Sequence, residues 1–359
     1  MTDAAVVGRI LHEYRLGPVS MWRQYGSVSS TWVGYEFRQL DGSVVLVRAH
    51  RADVPLAAHF RGGGVVSVTG WLQGRAATLD WLAGHGYPAP RLVRTREDDP
   101  VGVAGAWLTL ATTFLPGRAL ARGQLGLLGA ALGRLHTLPV PAAEPMPGLA
   151  AWHPAAGIPA ALDRLDAVEV LLPGEWRPLY EQFRATLLAV QRAVPGLPRA
   201  VVHGDAWPGN AIVMPDGQAA LIDWENGGIG LPVVDLGHCL VESHLDPGLP
   251  AGQPAAWQIQ PDPVRVAAVL DGYTRWRQLD QSERESLLDG IRFASAYAGA
   301  IHFERALIDG VHGATMDARL GRLRNRVAVS QAVADLAAQH LGPPGSRYAE
   351  PGRSDITGA

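Results

Sequence analysis

The chain has 359 residues, 47% of them apolar and 18% charged, with a formal net charge of −3. That is a globular composition, long enough for two lobes around one site. It lacks the basic excess of a protein that grips nucleic acid by its phosphates. All 31 cationic residues are arginine and lysine is absent, which excludes a Walker A loop and a pyridoxal-phosphate Schiff base. The single cysteine, Cys239, rules out an internal disulfide, a four-cysteine zinc site and a CxxC redox pair. No apolar run approaches the ~20 residues of a membrane-spanning helix, and the start carries Asp3 and no signal-peptide core. The expectation is a cytoplasmic protein with no nucleic-acid or membrane partner.

Residues 2–15 place Val7, Ile10, Leu11 and Tyr14 at helical spacing and predict a short amphipathic helix. From Met21 the texture turns to β in MWRQYGSVSSTWVGYEFRQL and SVVLVRAH, joined by Asp41-Gly42, a strong hairpin signal. After Gly62, Gly63 and Gly64 comes GWLQGRAATLDWLAGHG, a helix with Leu72, Ala76, Leu79 and Leu82 on one face, ended by Gly84 and Gly86. VGVAGAWLTLATTFL resumes strand character and breaks at Pro116-Gly117. Beyond that break the pattern is mostly helical. Leu125, Leu128, Leu132 and Leu135 mark a buried face, Pro139 to Pro159 reads as a Pro/Ala-rich loop, and 176–194 form another amphipathic helix. Two short apolar runs, AIVM and AALID, flank Pro215-Asp216-Gly217 and predict a second hairpin. Three longer helices fill about 262–278, 282–308 and 316–341. The tail, 342–359, is expected to be disordered. The chain thus divides into a sheet-bearing unit at 1–115 and a helical one at 116–341.

The chemistry concentrates in His203-Gly204-Asp205-Ala206-Trp207-Pro208-Gly209-Asn210 and in Ile222-Asp223-Trp224-Glu225. A hairpin over the two apolar runs returns Asp223 beside the loop that carries Asp205 and Asn210. Two carboxylates and an amide oxygen form a hard-donor set suited to Mg²⁺, which takes few protein ligands beside substrate phosphates. Phosphoryl transfer needs such a set, with one carboxylate for the hydroxyl proton and the other oxygens for the metal. Any one of these residues also suits a plain turn.

HGDAWPGN followed by LIDWENGGIGLPVVDLG resembles the signature of the aminoglycoside phosphotransferase and choline kinase-like family, relatives of the protein kinases. The resemblance runs over about residues 20–340. It implies an α+β, bilobal, protein-kinase-like fold: a small antiparallel-sheet N-lobe that binds nucleotide, and a larger, mostly helical C-lobe with the catalytic loop and acceptor site. It implies that Asp205 is the catalytic base and that Asn210 and Asp223 bind Mg²⁺. Asp235 would brace the catalytic loop and His203 would serve it as a hydrogen-bonding scaffold. For the nucleotide, ATP or GTP, it points to the turn Gly26–Thr31 with Ser27, Ser29 and Ser30, where an ordinary β-turn is the equal alternative. It also points to the hinge Thr112-Thr113-Phe114-Leu115, with Thr112 and Phe114 as the candidates.

The family's third-strand lysine is replaced by Arg48, in Val45-Leu46-Val47-Arg48, and its helix glutamate falls in register at Arg75. Two like charges would repel. Arg48 is nonetheless a candidate phosphate ligand through its bidentate fork, with a counter-charge expected from Asp53, Asp80 or another carboxylate. Trp207, Glu225, Glu242, Asp246 and Glu304 are candidate acceptor contacts. His238, Glu242 and His244 do not read as a metal cluster, because His244 falls on another side of the helix. The expected activity is an ATP- and Mg²⁺-dependent kinase for a hydroxyl of a small molecule, an aminoglycoside or a related sugar or amine metabolite. Two alternatives stay open: a kinase for Ser/Thr of a peptide, framed by 139–159, and a pseudokinase-like protein partner that lacks the Lys–Glu pair.

Overall fold

The computed structural model describes residues 3–25, 32–53, 67–140, 154–193, 197–244, 260–308 and 314–342. The first helix, α1 (Asp3–Glu13), presents Val6, Val7 and Ile10 to the sheet that follows. That sheet is built from β1 (Val19–Tyr25), β2 (Trp32–Gln39), β3 (Val44–Arg51), β4 (Leu92–Val93), β5 (Gly102–Ala104) and β6 (Trp107–Thr113), with α2 (Val68–Gly84) inserted after β3. Its strand order is β1-β2-β3-β6-β4, with β5 paired to β6, and every pairing is antiparallel.

Asp41-Gly42 makes the β2–β3 turn. Gly42 takes φ +86° and Asp41 Oδ1 accepts the Ser43 N–H at 2.9 Å. Alternation along β3 then decides where the site can be. Val45, Val47 and Ala49 pack with α1, so Leu46, Arg48 and His50 face the other side, where His50 meets Trp71 of α2. Leu72, Ala76, Leu79 and Leu82 bury the α2 face that their spacing predicts, and Ser67 caps the helix by accepting the Gly70 N–H at 3.1 Å. The strand character expected over 101–115 is divided between two strands, because Gly105 at φ +72° turns the chain and folds β5 back on β6.

The second lobe comprises β7 (Arg118–Ala119), α3 (Leu125–His136), α4 (Pro154–Val168), α5 (Arg177–Ala193), β8 (Ala200–Val202), β9 (Ala211–Val213), β10 (Ala219–Leu221), β11 (Gly228–Gly230), α6 (Pro232–Glu242), α7 (Pro263–Thr274), α8 (Gln281–Leu307) and α9 (Ala314–Leu341). Helix α4 corrects the loop expected over 139–159. The chain is helical from Pro154, a residue that suits a helix start, and stays helical through Pro159 on the strength of its alanines. Residues 141–153, which were expected to frame a peptide, lie outside the described residues. Helix α3 crosses α7 at close range: a Cβ on Gly129 would stand 2.0 Å from the Val269 carbonyl oxygen, and one on Gly272 2.0 Å from that of Gly126. The crossing seats Leu128, Leu132 and Leu135 in the main core. The β9–β10 hairpin forms at Pro215-Asp216-Gly217 as predicted, with Gly217 at φ +84°. The fold is therefore bilobal, a small antiparallel sheet with its helices joined to a larger helical lobe. Among the described residues no helix is long and apolar enough to cross a membrane. The expected tail beyond Gly342 lies outside them.

Candidate active site

Strand β8 pairs with β11 and releases the chain into His203-Gly204-Asp205. Gly204 takes φ +75°, and a Cβ there would meet the Asn226 carbonyl oxygen at 2.4 Å, so only glycine lets this loop lie against the segment after Asp223. The His203 Nε2–H donates to Ile222 O at 2.9 Å while Nδ1 accepts the Asp205 N–H at 3.3 Å, and these two partners select one tautomer. Trp224 is buried against the His203 ring, edge-on at 4.6 Å. The Ile222 N–H donates to Asn210 O at 2.9 Å. Asn210 Nδ2 donates to Asp205 Oδ2 at 2.9 Å and to Asp205 O at 3.0 Å. Asp205 and Asn210 are thus bonded directly, and the Ile222–Asn210 backbone bond brings the neighbouring Asp223 alongside them. Asp223 stands in the left-handed region, φ +65° and ψ 62°, which Asp tolerates better than most residues and which marks constrained sites.

Asp235, in the first turn of α6, holds this junction from below. Its carboxylate accepts the His203 N–H at 2.7 Å and the Gly204 N–H at 3.0 Å, and His136 Nε2 stands 3.2 Å away. Burial alone would raise Asp235, but His136 and the His203 backbone hold it below the usual carboxylate range. Burial keeps His136 low and neutral, so its Nε2–H donates to Asp235 and its Nδ1 accepts from the Tyr273 hydroxyl at 2.9 Å.

The second Asp205 oxygen, Oδ1, faces His238 Nε2 at 3.1 Å. Arg326 of α9 brings Nη2 to 3.5 Å from His238 Nδ1 and is ion-paired with Glu242, one helical turn along α6. A guanidinium can only donate, so Nδ1 accepts and Nε2 carries the proton that Asp205 receives. Burial would raise Glu242, but Arg326 holds it low. Glu242, expected to touch an acceptor, is engaged inside the protein. The sequence reading missed the His238 contact with Asp205; a histidine placed on the helix that starts with Asp235 was its one available signal.

Of the counter-charges expected for Arg48, neither Asp53 nor Asp80 serves, and other carboxylates do. Asp53 is bound by Arg51 and Asp80 by Arg94. The counter-charges of Arg48 are Asp223, with Nη1 3.0 Å from Oδ1, and Glu225. Arg75 Nη1 lies 3.2 Å from the same Glu225 oxygen. The two like charges share a carboxylate, and each stands over a tryptophan: Arg48 over Trp32 at 5.3 Å and Arg75 over Trp71 at 5.9 Å. Burial works against Arg48, yet Asp223 keeps its pKa raised. Asp223 in turn is held low by Arg48 against its own burial. Burial and then the Arg48 charge pull Arg75 down. Glu225, expected at the acceptor, is the hub of this cluster.

A cleft of about 830 Å³ runs past both groups, with Tyr25, Leu46, Thr112, Phe114, Asn210 and Asp223 among its walls. Thr112 pairs with Leu46 in the sheet, and the Phe114 N–H donates to Val44 O at 2.9 Å, so that N–H is already engaged within the protein. Ser27, Ser29, Ser30 and Asp246 lie outside the described residues. Trp207 covers Gly209, where a Cβ would come 2.4 Å from the indole. Glu304 stands 3.6 Å from Arg164 Nε, between α8 and α4. Among the described residues no three His, Cys, Asp or Glu side chains converge as a metal cluster would require.

A cleft between a small sheet lobe and a helical lobe, with an Asp–Asn loop on one wall and a carboxylate after a hairpin beside it, is the architecture of kinase-like phosphotransferases. The model of the phosphotransferase enzyme family matches residues 35–279, and the chain belongs to that family. It is 29% identical over 220 residues to homoserine kinase from Methylocella silvestris, covering 58% of this chain and 61% of that protein. To homoserine kinase from Azorhizobium caulinodans it is 25% identical over 232 residues, with 58% and 61% covered. The chain spans about six-tenths of the length of the curated relatives it matches. Among solved structures, the amicoumacin kinase hAmiN in complex with AMP-PNP, Ca²⁺ and Ami superposes with TM-score 0.63 at 15% identity, over 92% of this chain and 94% of that one. Choline kinase LicA from Streptococcus pneumoniae gives 0.58 at 12%, over 92% and 99%. Both likenesses establish the fold.

Proposed function

We propose that the protein transfers the terminal phosphate of ATP or GTP to a hydroxyl of a small molecule, with Mg²⁺ as the metal. The observation that carries this reading is Asp205 bound to Asn210, with Asn210 and Asp223 both on the wall of the interlobe cleft. Its donors fit the metal. With Nδ2 given to Asp205, Asn210 presents its amide oxygen, and Asp223 has a second oxygen beyond the one that faces Arg48. Two hard oxygen ligands suit Mg²⁺ and leave softer metals without thiolate or imidazole. When bound, the metal supplies charge neutralisation on the phosphates.

The protein's own groups do the rest. Asp205, oriented through both oxygens by His238 and Asn210, positions the acceptor hydroxyl and takes its proton late, since the transition state is loose and positioning dominates. Asp235 and His203 hold the loop in place. Arg48 binds phosphate, and Thr112 and Phe114 line the base end of the cleft. The unit 1–115 supplies the nucleotide side, and 116–341 supplies the catalytic loop and acceptor side. Relatives named homoserine kinase, aminopropanol kinase and choline kinase support a small amine-bearing alcohol as acceptor; amicoumacin and spectinomycin phosphotransferases support a larger antibiotic. A panel of amino alcohols and aminoglycosides with Mg·ATP, run on wild type and Asp205→Ala, tests the reading. Acceptor-dependent ADP release that vanishes in the variant is expected, and release that survives the substitution overturns it.

A further inference from the structure

Arg75 lines the cleft from α2, and its side chain is only 9% exposed. Its Nη1 and the Arg48 Nη1 reach one and the same oxygen, Glu225 Oε1. Its Nε–H is buried with no acceptor among the described residues. Each guanidinium carries five N–H donors in a rigid fork and no acceptor. The contacts to Glu225, to Asp223 and, for Arg48, to Tyr25 use only some of them, and both residues line the cleft. The ligand that satisfies two adjacent forks is an oxyanion with several oxygens. Occupation of Asp223 by a metal would leave Glu225 alone against two positive charges, which strengthens the pull on an anion.

Resting on the phosphotransferase reading above, we propose that Arg75 is a second phosphate ligand. With Arg48 it forms a two-guanidinium clamp on the polyphosphate of the nucleotide, and Glu225 holds the clamp together when no phosphate is present. Nothing in the family's signature assigns Arg75 this part.

A purely structural tie between α2 and the loop after Asp223 would make the same contacts, so the test must read phosphate and not stability. Mg·AMP-PNP, inorganic tripolyphosphate and adenosine are titrated into wild type, Arg75→Gln and Arg75→Lys. The clamp predicts that Arg75→Gln weakens Mg·AMP-PNP and tripolyphosphate by at least about tenfold and leaves adenosine unchanged. Arg75→Lys, which keeps the charge and loses the fork, recovers part of that loss. Equal affinities for both phosphate probes in wild type and Arg75→Gln overturn the clamp, whatever the melting temperature does. If Arg75→Gln does not fold, the lysine variant decides: a loss of tripolyphosphate affinity below about threefold overturns the clamp. A wild type that binds adenosine but neither phosphate probe overturns the phosphotransferase reading itself, whereas normal wild-type binding with an indifferent variant sinks the clamp alone.

Discussion

The junction around Asp205 and the arginine cluster beside it hold their charges in different ways. At the junction, short-range backbone bonds dominate: Asp205, Asn210, Ile222 and Asp235 are tied through main-chain N–H and C=O groups. In the cluster, Arg48 reaches Asp223 across 175 residues and Arg75 reaches Glu225 across 150, side chain to side chain between lobes. A site built on backbone geometry is preorganised before any ligand arrives. One built on four exchangeable charges keeps its neutrality at rest and can re-pair when a metal or an anion enters. The contrast suggests one region for chemistry and another for grip, and it can be broken at several points.

The largest expected effect is at the junction. Asp205→Ala should lower turnover by about a thousandfold, within the range of a lost general base, with AMP-PNP affinity unchanged. Next comes its support. Asp235→Asn should destabilise the fold by about 3 kcal/mol or more, since an amide group then opposes a buried backbone N–H, lowering Tm by about 6 °C or more. The pH dependence has a fixed sign. Asp235 is held below its ordinary value, so its stabilisation is complete above the unfolded carboxylate range near ~4 and is lost as pH falls through the lower folded value. The wild-type advantage over Asp235→Asn should therefore shrink on acidification below about pH 4 in denaturant titrations.

In the cluster, Glu225→Gln leaves two largely buried arginines with Asp223 alone and should cost about 2 kcal/mol. A double-mutant cycle with Arg75→Gln should show coupling of about 1 kcal/mol or more; strict additivity would mean the shared carboxylate is not felt. His238→Leu should lower kcat by about tenfold without moving nucleotide affinity, and His238→Gln, which keeps a donor toward Asp205, should restore most of it. The smallest effect is the control. Asp53→Asn breaks only an exposed pair with Arg51 and should leave both Tm and nucleotide affinity where they were.

What the sequence made legible follows the same division. Asp41-Gly42 and Pro215-Asp216-Gly217 announced their hairpins, and Leu72 to Leu82 announced the α2 face, because turn chemistry and helical period are local. The grouping of Asp205, Asn210 and Asp223 followed from one such hairpin. Gly105 sits inside an apolar run, so the turn that divides β5 from β6 carried no signal of its own. Pro154 and Pro159 outweighed the alanines around them, so the start of α4, up to Pro159, read as loop. The partners of Arg48, Arg75 and His238 were not legible at all, since they depend on which lobe surfaces meet. Register placed Arg75 opposite Arg48 as a repulsion, and only the fold reveals Glu225 between them.

The most direct test of the central claim is to titrate AMP-PNP, with and without Mg²⁺, into wild type, Asn210→Ala and Asp223→Ala. The account predicts tighter binding with the metal in wild type, a reduced gain in Asn210→Ala and none in Asp223→Ala. A metal-dependent gain of equal size in all three proteins would contradict it.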